Sequence, residues 1–470
     1  MIDSRPTDAF ALSDGFEMNR RNFVRLGAQL TGATAFMPLL QGCGGGNPDG
    51  VSVVPTPAVR NAYRQTNLAA TKAAYAAAFT LPDMVDAWGI AIRPAGAGGH
   101  FWVLGGGTSW QFVGDVSASA DPKLRKLFQD ALGEVYLPGA DALTTDASLG
   151  KATGSAFNGA PINSNNFRVT AQRATADGAV VEFDGSARFV FVTDSGRLSA
   201  WTDRAQDGST VRVNGPAQLV YDGAALGMSM FGVAIKTDTW DTLWVADFGS
   251  TPQIRQFDLA WQLVPTQGFA NPFASGPLLD AVNPSQGNAA RPGEPVPFNI
   301  QVVGARVFVT YCISQVLRDA NGFIVDASKT LPSQEDSLDR AAEDKAGGFP
   351  NRGKLAEYTL GGELVRVYDD LGRLNAPWGV AVAPPDFGLL SNTLLVGNFG
   401  GAGKIAAFNP TTGRFIDYLR DDAGQVIGLD GTWGLTFGNG ASLGDANALY
   451  FAAGPEGETA GLFGSLRYAG

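Results

Sequence analysis

Histidine occurs once in these 470 residues, as His100, and cysteine twice, as Cys43 and Cys312. That scarcity excludes zinc or haem held by a Cys/His cluster, and any Ser–His–Asp catalysis would rest on a single imidazole. His100 stands in a Gly-rich loop, Gly98-Gly99-His100-Phe101, and is expected to be a turn residue. Cys312 follows an apolar run at 307–311 and is expected to be a buried small hydrophobe rather than a nucleophile. No GxGxxG or GxxxxGK[ST] loop occurs in a strand–loop–helix setting. What remains is oxygen chemistry. Asn158, Asp247, Asn299, Asn398 and Glu456 each stand near the end of a predicted strand. Such groups can serve as hard oxygen ligands, or they can cap strands and turns, since Asn and Asp tolerate left-handed backbone.

A second kind of chemistry is written near the N-terminus. Asn19-Arg20-Arg21-Asn22-Phe23 precedes a weakly apolar stretch over 26–40, which ends in Leu40-Gln41-Gly42-Cys43. The stretch is too short and too rich in Gly, Ala and Thr for a spanning helix, which needs roughly 20 apolar residues. A basic segment, a short apolar segment and small residues in that order form an export signal. Arg20 and Arg21 resemble the pair of the twin-arginine signal, a route that carries folded proteins. Leu-Gln-Gly-Cys resembles a lipobox, in which Cys43 would carry lipid and become the first mature residue. These motifs predict a signal over 1–43, with a second candidate start at Met18, a flexible tether over 44–57, and a lipoprotein held at the cell envelope or in the periplasm.

The elements that must position the oxygen groups are short strands. The chain has 61 Gly, 26 Pro and only 17% charged residues. Glycine is about twice its usual share and charge lies well under the usual quarter, which suits many strands joined by tight turns. One stretch, 376–419, reads as four strands separated by Pro-Pro-Asp, Gly-Gly-Ala-Gly and Asn-Pro-Thr-Thr-Gly breaks. The pattern recurs from about residues 88, 155, 231, 298 and 433, which makes six copies. Radial repetition of four-stranded sheets is the propeller solution to exposed sheet edges. The expected architecture is therefore all-β, a single six-bladed β-propeller over 58–470, with insertions at about 115–150 and 312–353. Small residues in each first strand suit the crowded centre, and the aromatics are expected to fill the wedges between blades. The last copy lacks a partner strand, and 62–68, AYRQTNL, is expected to close the ring. Asp121-Pro122-Lys123 opens a predicted short helix with Leu124, Leu127, Phe128 and Ala131 on one stripe, and 337–346 is a second candidate helix. The formal charge of −11 argues against nucleic acid as a partner.

Alternation of W-G-[IVL]-A with [LF]-W/L-V-x-[DN]-F-G and I-x-x-F-[DN] resembles the NHL-type and gluconolactonase-type six-bladed propellers. Closer still is the likeness to a bacterial family of exported proteins whose members often end in PEP-CTERM sorting tails. It rests on Tyr63–Leu68, Ala87-Trp88-Gly89-Ile90-Ala91, Pro297-Phe298-Asn299-Ile300-Gln301, Ala376-Pro377-Trp378-Gly379, Leu395-Val396-Gly397-Asn398-Phe399-Gly400, Asp430-Gly431-Thr432-Trp433-Gly434-Leu435 and Ala453-Gly454-Pro455-Glu456-Gly457-Glu458. Two departures matter: Leu104-Gly105-Gly106-Gly107-Thr108 replaces a polar pair, and the sorting tail is missing. The gluconolactonase likeness implies calcium or another divalent cation held by Asn158, Asp247, Asn299, Asn398 and Glu456. Three functions follow as expectations: a lipid-anchored monomer that binds a protein or glycan on its loop face, a metal-dependent lactonase-like hydrolase, or a structural envelope module.

Overall fold

The computed structural model describes residues 59–96, 98–141, 149–318, 324–332 and 352–470. Arg20, Arg21, Cys43, the tether and the 337–346 helix lie outside them. The described strands form seven sheets, of which six are blades, antiparallel apart from one short edge pair, that run outward from a central axis. Blade I contains Ile90–Ala91, Phe101–Gly105, Thr108–Phe112 and Glu134–Tyr136. Blade II contains Ala152–Phe157, Phe189–Thr193, Arg197–Trp201 and Gln218–Asp222, with a separate hairpin, Arg168–Ala174 and Val180–Ser186, between its first two strands. Blade III contains Met230–Ile235, Thr242–Asp247, Gln253–Asp258 and Leu263–Val264. Blade IV contains Pro295–Val303, Arg306–Arg318, Gly353–Thr359 and Leu364–Val367, and Ile324–Pro332 pairs with the long second strand. Blade V is Pro377–Val382, Leu394–Asn398, Ile405–Phe408 and Phe415–Tyr418.

Blade VI joins the two ends of the chain. Its inner strands Thr432–Phe437, Ala448–Ala453 and Leu462–Tyr468 come last in sequence, and its outer strand is Tyr63–Ala70. The closing strand pairs antiparallel with Leu462–Tyr468 in a register running from Tyr63 opposite Tyr468 to Ala70 opposite Leu462. The Tyr63 ring stacks on Phe387 at 4.5 Å, and its hydroxyl donates to the Phe387 carbonyl at 2.8 Å, so the strand is tied to blade V as well. The expected closure is what the chain does.

Six apolar clusters fill the gaps between successive blades. Trp102, Phe189 and Trp201 lie between blades I and II, and Trp244, Phe269 and Tyr358 between III and IV. A seventh cluster departs from the expectation that every aromatic fills a wedge. Trp88, Phe231, Phe298, Trp378 and Trp433, one from the start of the inner strand of each blade except II, converge on the axis with Phe248, Phe399 and Cys312. Trp433 stacks on Trp88 at 3.6 Å and on Phe399 at 3.8 Å. Phe231 meets Trp88 and Phe298 at 5.4 Å each. These rings plug the axis at the face where inner strands begin.

The residue after each plug position shows why small side chains are needed. A Cβ on Gly434 would stand 2.6 Å from the Trp88 carbonyl oxygen, one on Gly89 2.7 Å from that of Thr153, and one on Gly379 2.4 Å from that of Trp433. Real Cβ atoms do not approach backbone that closely, so the inner strands can touch only where a side chain is missing. Blade IV breaks the pattern with Asn299, whose Nδ2 donates to the Trp378 carbonyl at 2.8 Å and so crosses the same gap with a hydrogen bond.

One expected element is shorter than its sequence pattern. Asp121 does cap Lys123, its side chain accepting the Lys123 N–H at 2.9 Å, but only a 3-10 turn follows, at Pro122–Arg125. The chain then turns so that Phe128 bridges to Val113. Leu124, Leu127 and Phe128 still pack between blades VI and I, as edge residues rather than as a helical stripe.

Candidate functional site

Antiparallel meanders put the five oxygen-bearing residues on different faces. Asn158 follows the end of an inner strand, whereas Asp247 and Asn398 end second strands and Glu456 lies in the following turn, all on the plugged face. Each is engaged locally. Asp247 is fully buried; its Oδ1 accepts the backbone N–H of Ser229 and Gly249 at 3.0 and 2.9 Å, and its Oδ2 accepts from Arg255 Nε at 2.9 Å. Burial pushes its carboxyl upward against the Arg255 charge that holds it down. Asn398 Oδ1 accepts the Asn375 N–H at 3.0 Å and its Nδ2 donates to the Arg373 carbonyl. Asn158 Oδ1 caps the Ala160 N–H at 3.0 Å while its Nδ2 donates to Ser186 and to the Ala187 carbonyl. Asn299 bridges to blade V, and Glu456 is exposed with Lys72 and the Tyr75 hydroxyl. These residues do not come together as one ligand set. Among the described residues no group of three His, Cys, Asp or Glu is placed to hold a metal ion. The donors fit strand and turn capping, and the implied divalent cation does not fit them.

His100 also differs from expectation. Expected in a turn, it instead lies buried just before the Phe101–Gly105 strand, with Nε2 2.8 Å from Asp130 Oδ1. Burial lowers its pKa against the Asp130 carboxylate, which works the other way. Cys312 is buried in the axial cluster, as its sequence context predicts.

A polar cluster that sequence reasoning missed sits against the plug. Asp86, at a left-handed φ of 48°, is buried; its Oδ1 accepts the Trp433 indole N–H at 2.9 Å and its Oδ2 lies 3.1 Å from Lys151 Nζ. Lys151 also pairs with Glu458 and stands 5.9 Å from the Trp88 ring centroid. Burial raises Asp86, and Glu458 adds to it, against the pull of Lys151 and the Trp433 N–H; the acid is pushed up to about 7. The three charges come from distant parts of the chain, before blade I, before blade II and within blade VI, and no local motif marks them.

At the opposite face the axis is open. Beneath the plug a cavity of about 50 Å³ lies among Ile90, Ser155, Val233, Asn299, Gln301 and Trp378. A second of about 230 Å³ shares Ile90, Ser155, Val233 and Gln301 with it and reaches Phe157, Trp240 and Val302. A third of about 700 Å³ shares Phe157, Trp240 and Val302 and widens past Arg93 and Arg188 to Thr237 and Gly304. Shared walls make these one funnel, broad at the face where inner strands end and blind at the aromatic plug. Inner strands wall the deeper part, residues just outside strands such as Arg93, Arg188 and Thr237 line the mouth, and mixed apolar and polar lining of this size suits a small molecule.

No family model matches the chain. Two curated relatives are uncharacterised proteins of Acanthamoeba polyphaga mimivirus. Protein R648 is 26% identical over 390 residues, which span 83% of this chain and 76% of that protein. Protein L690 is 34% identical over 117 residues, 25% of this chain and 30% of that one. Among solved structures, the WD40 propeller domain of Doa1 aligns over 81% of this chain and 93% of its own at 10% identity and a TM-score of 0.35. A gluconolactonase from Xanthomonas campestris aligns over 64% and 88% at 15% identity and a TM-score of 0.29. Both sequence relatives are viral, and the likeness to a bacterial exported family with sorting tails finds no support in them. What stands is the propeller itself: a six-bladed all-β ring built by the strand pairing described above.

Proposed function

We propose that this chain is a noncatalytic binding propeller that takes a small ligand into its axial funnel, and that it is exported and held to a membrane by lipid on Cys43. The observation that carries the first part is the blind funnel, wide at one face and closed by the rings of Trp88, Trp378 and Trp433 at the other. Its depth suits capture of a guest, and the oxygen groups that a metal-dependent hydrolase would need are occupied by backbone and side-chain hydrogen bonds. Export and anchoring rest on the order Arg20-Arg21, short apolar stretch, Leu40-Gln41-Gly42-Cys43. The acidic overall charge argues against nucleic acid as a partner.

Two measurements test the parts separately. The neutral fluorophore N-phenyl-1-naphthylamine is expected to bind the purified protein at one site, and Ile92→Arg at the funnel lip should weaken that binding about tenfold or more. Retained affinity in that variant would place the site elsewhere, and a stoichiometric divalent ion in metal analysis would favour the hydrolase. For the anchor, Cys43→Ala should move the expressed protein from the membrane to the soluble fraction. If the variant stays with the membrane, lipid on Cys43 is not what holds it.

A further inference from the structure

The chain carries a formal charge of −11, yet its funnel opens through a concentration of buried guanidinium groups. Arg93 follows the inner strand of blade I, and Arg188 precedes the second strand of blade II. Both line the mouth of about 700 Å³, and no acidic residue shares that lining among the described residues. Arg93 is 8% exposed and Arg188 7%. Behind them lie Arg173, stacked on Phe183 and Trp201, and Arg212, whose Nε is 3.8 Å from Asp203. Against these cations stand fully buried Asp203, and Asp130, which is taken up by His100.

The existing partners leave donor capacity unused. Arg93 spends Nη2 on Asp203 Oδ2 at 2.8 Å, and its buried Nε has no partner among the described residues. Arg188 spends Nη2 on the Ala160 carbonyl at 2.7 Å and Nε on the Ser186 carbonyl at 3.4 Å, both neutral acceptors. Burial and the nearby Arg93 charge pull the Arg188 guanidinium down to about 10, partly offset by Asp203. A desolvated cation with neutral partners is costly unless a counter-charge joins it. The rest of the mouth is largely apolar, with Ile92, Phe157, Trp240 and Val302.

We propose that the funnel selects small apolar or aromatic molecules bearing one oxyanion, a carboxylate or phosphate, with the anion set against Arg188 and Arg93 and the apolar body against Trp240, Phe157 and Val302. Planar guanidinium groups match such oxyanions with paired charge-assisted hydrogen bonds. This inference rests on the funnel being a ligand site, as proposed above.

Isothermal titration of the full chain with three probes of one shape tests it: 2-naphthoate, 2-naphthyl phosphate and the neutral 2-naphthamide. At least one of the two anions is expected to bind about tenfold or more tighter than the amide, the worth of one charge-assisted hydrogen bond. Which of them wins tells carboxylate from phosphate. Arg188→Gln should move that ratio toward one, with the larger loss falling on the anions. Thr237→Glu, at a half-buried lip position, should weaken the anions more than the amide, and it bears on the charge effect without cutting the Arg188 bonds. Equal binding of all three probes to the wild-type protein overturns the selectivity and leaves the binding reading intact. If none binds, both fall.

Discussion

At the scale of the residue, the same chemistry is put to different uses by its depth. Asp86 is a buried acid held above its ordinary range, and its consequence is a pH dependence of stability. An acid whose folded pKa is raised binds an extra proton in the native state between its unfolded and folded values. Stability from this group is therefore greatest in acid and falls as pH rises from 3.8 to about 7, with a slope of at most about 1.4 kcal/mol per pH unit. Asp86→Asn keeps an acceptor for the Trp433 indole and should flatten that decline in denaturant midpoints taken from pH 5 to 8. A profile as steep as that of the wild type would assign the titration to another group. Gly379 makes the complementary point about space. Gly379→Ala forces a methyl toward the Trp433 carbonyl oxygen, 2.4 Å away, and overpacking of this kind costs about 1–3 kcal/mol. Gly361→Ala, which meets only the Thr359 hydroxyl oxygen at 3.4 Å, is the control and should be near neutral.

At the scale of the element, the strand that closes blade VI has few local reasons to exist. Tyr63–Ala70 has one partner strand from the far end of the chain and a short parallel neighbour, Phe79–Thr80. Its stability is borrowed from the ring. Deletion of 58–70 should lower the melting temperature sharply or abolish the cooperative transition, because it uncovers the edge of Leu462–Tyr468 and removes the Tyr63–Phe387 stack. An unchanged melting curve would mean that the ring does not depend on this seam. Four of the six copies were plainly legible because their inner strands begin with the same demand, an aromatic for the plug and then a glycine for the neighbour: Trp88-Gly89, Phe231-Gly232, Trp378-Gly379 and Trp433-Gly434. The hairpin of Arg168–Ala174 and Val180–Ser186 was not legible, since its polar alternation lacks that mark. Nor were the funnel arginines. Arg93 and Arg188 each follow or precede a strand like any solvated lip residue, and only the curvature of the ring brings them to one mouth.

At the scale of the whole molecule, the axis is asymmetric. One end is sealed by rings and bordered by the Asp86, Lys151 and Glu458 charges; the other is open and lined by cations in a chain that is acidic overall. Candidate metal ligands at strand ends are scattered over both faces because a meander alternates the direction of its strands, which linear spacing does not display. The seam has a temporal meaning as well. The strand Tyr63–Ala70 leaves the ribosome well before its partner Leu462–Tyr468. Until that partner emerges an edge of the first strand stays bare, and no chain that lacks it can finish the ring. A protein truncated anywhere before residue 462 would thus fail as a folded particle, however many intact blades it carried. Completion of the circle therefore waits on the Leu462–Tyr468 strand, whatever the state of the five blades before it.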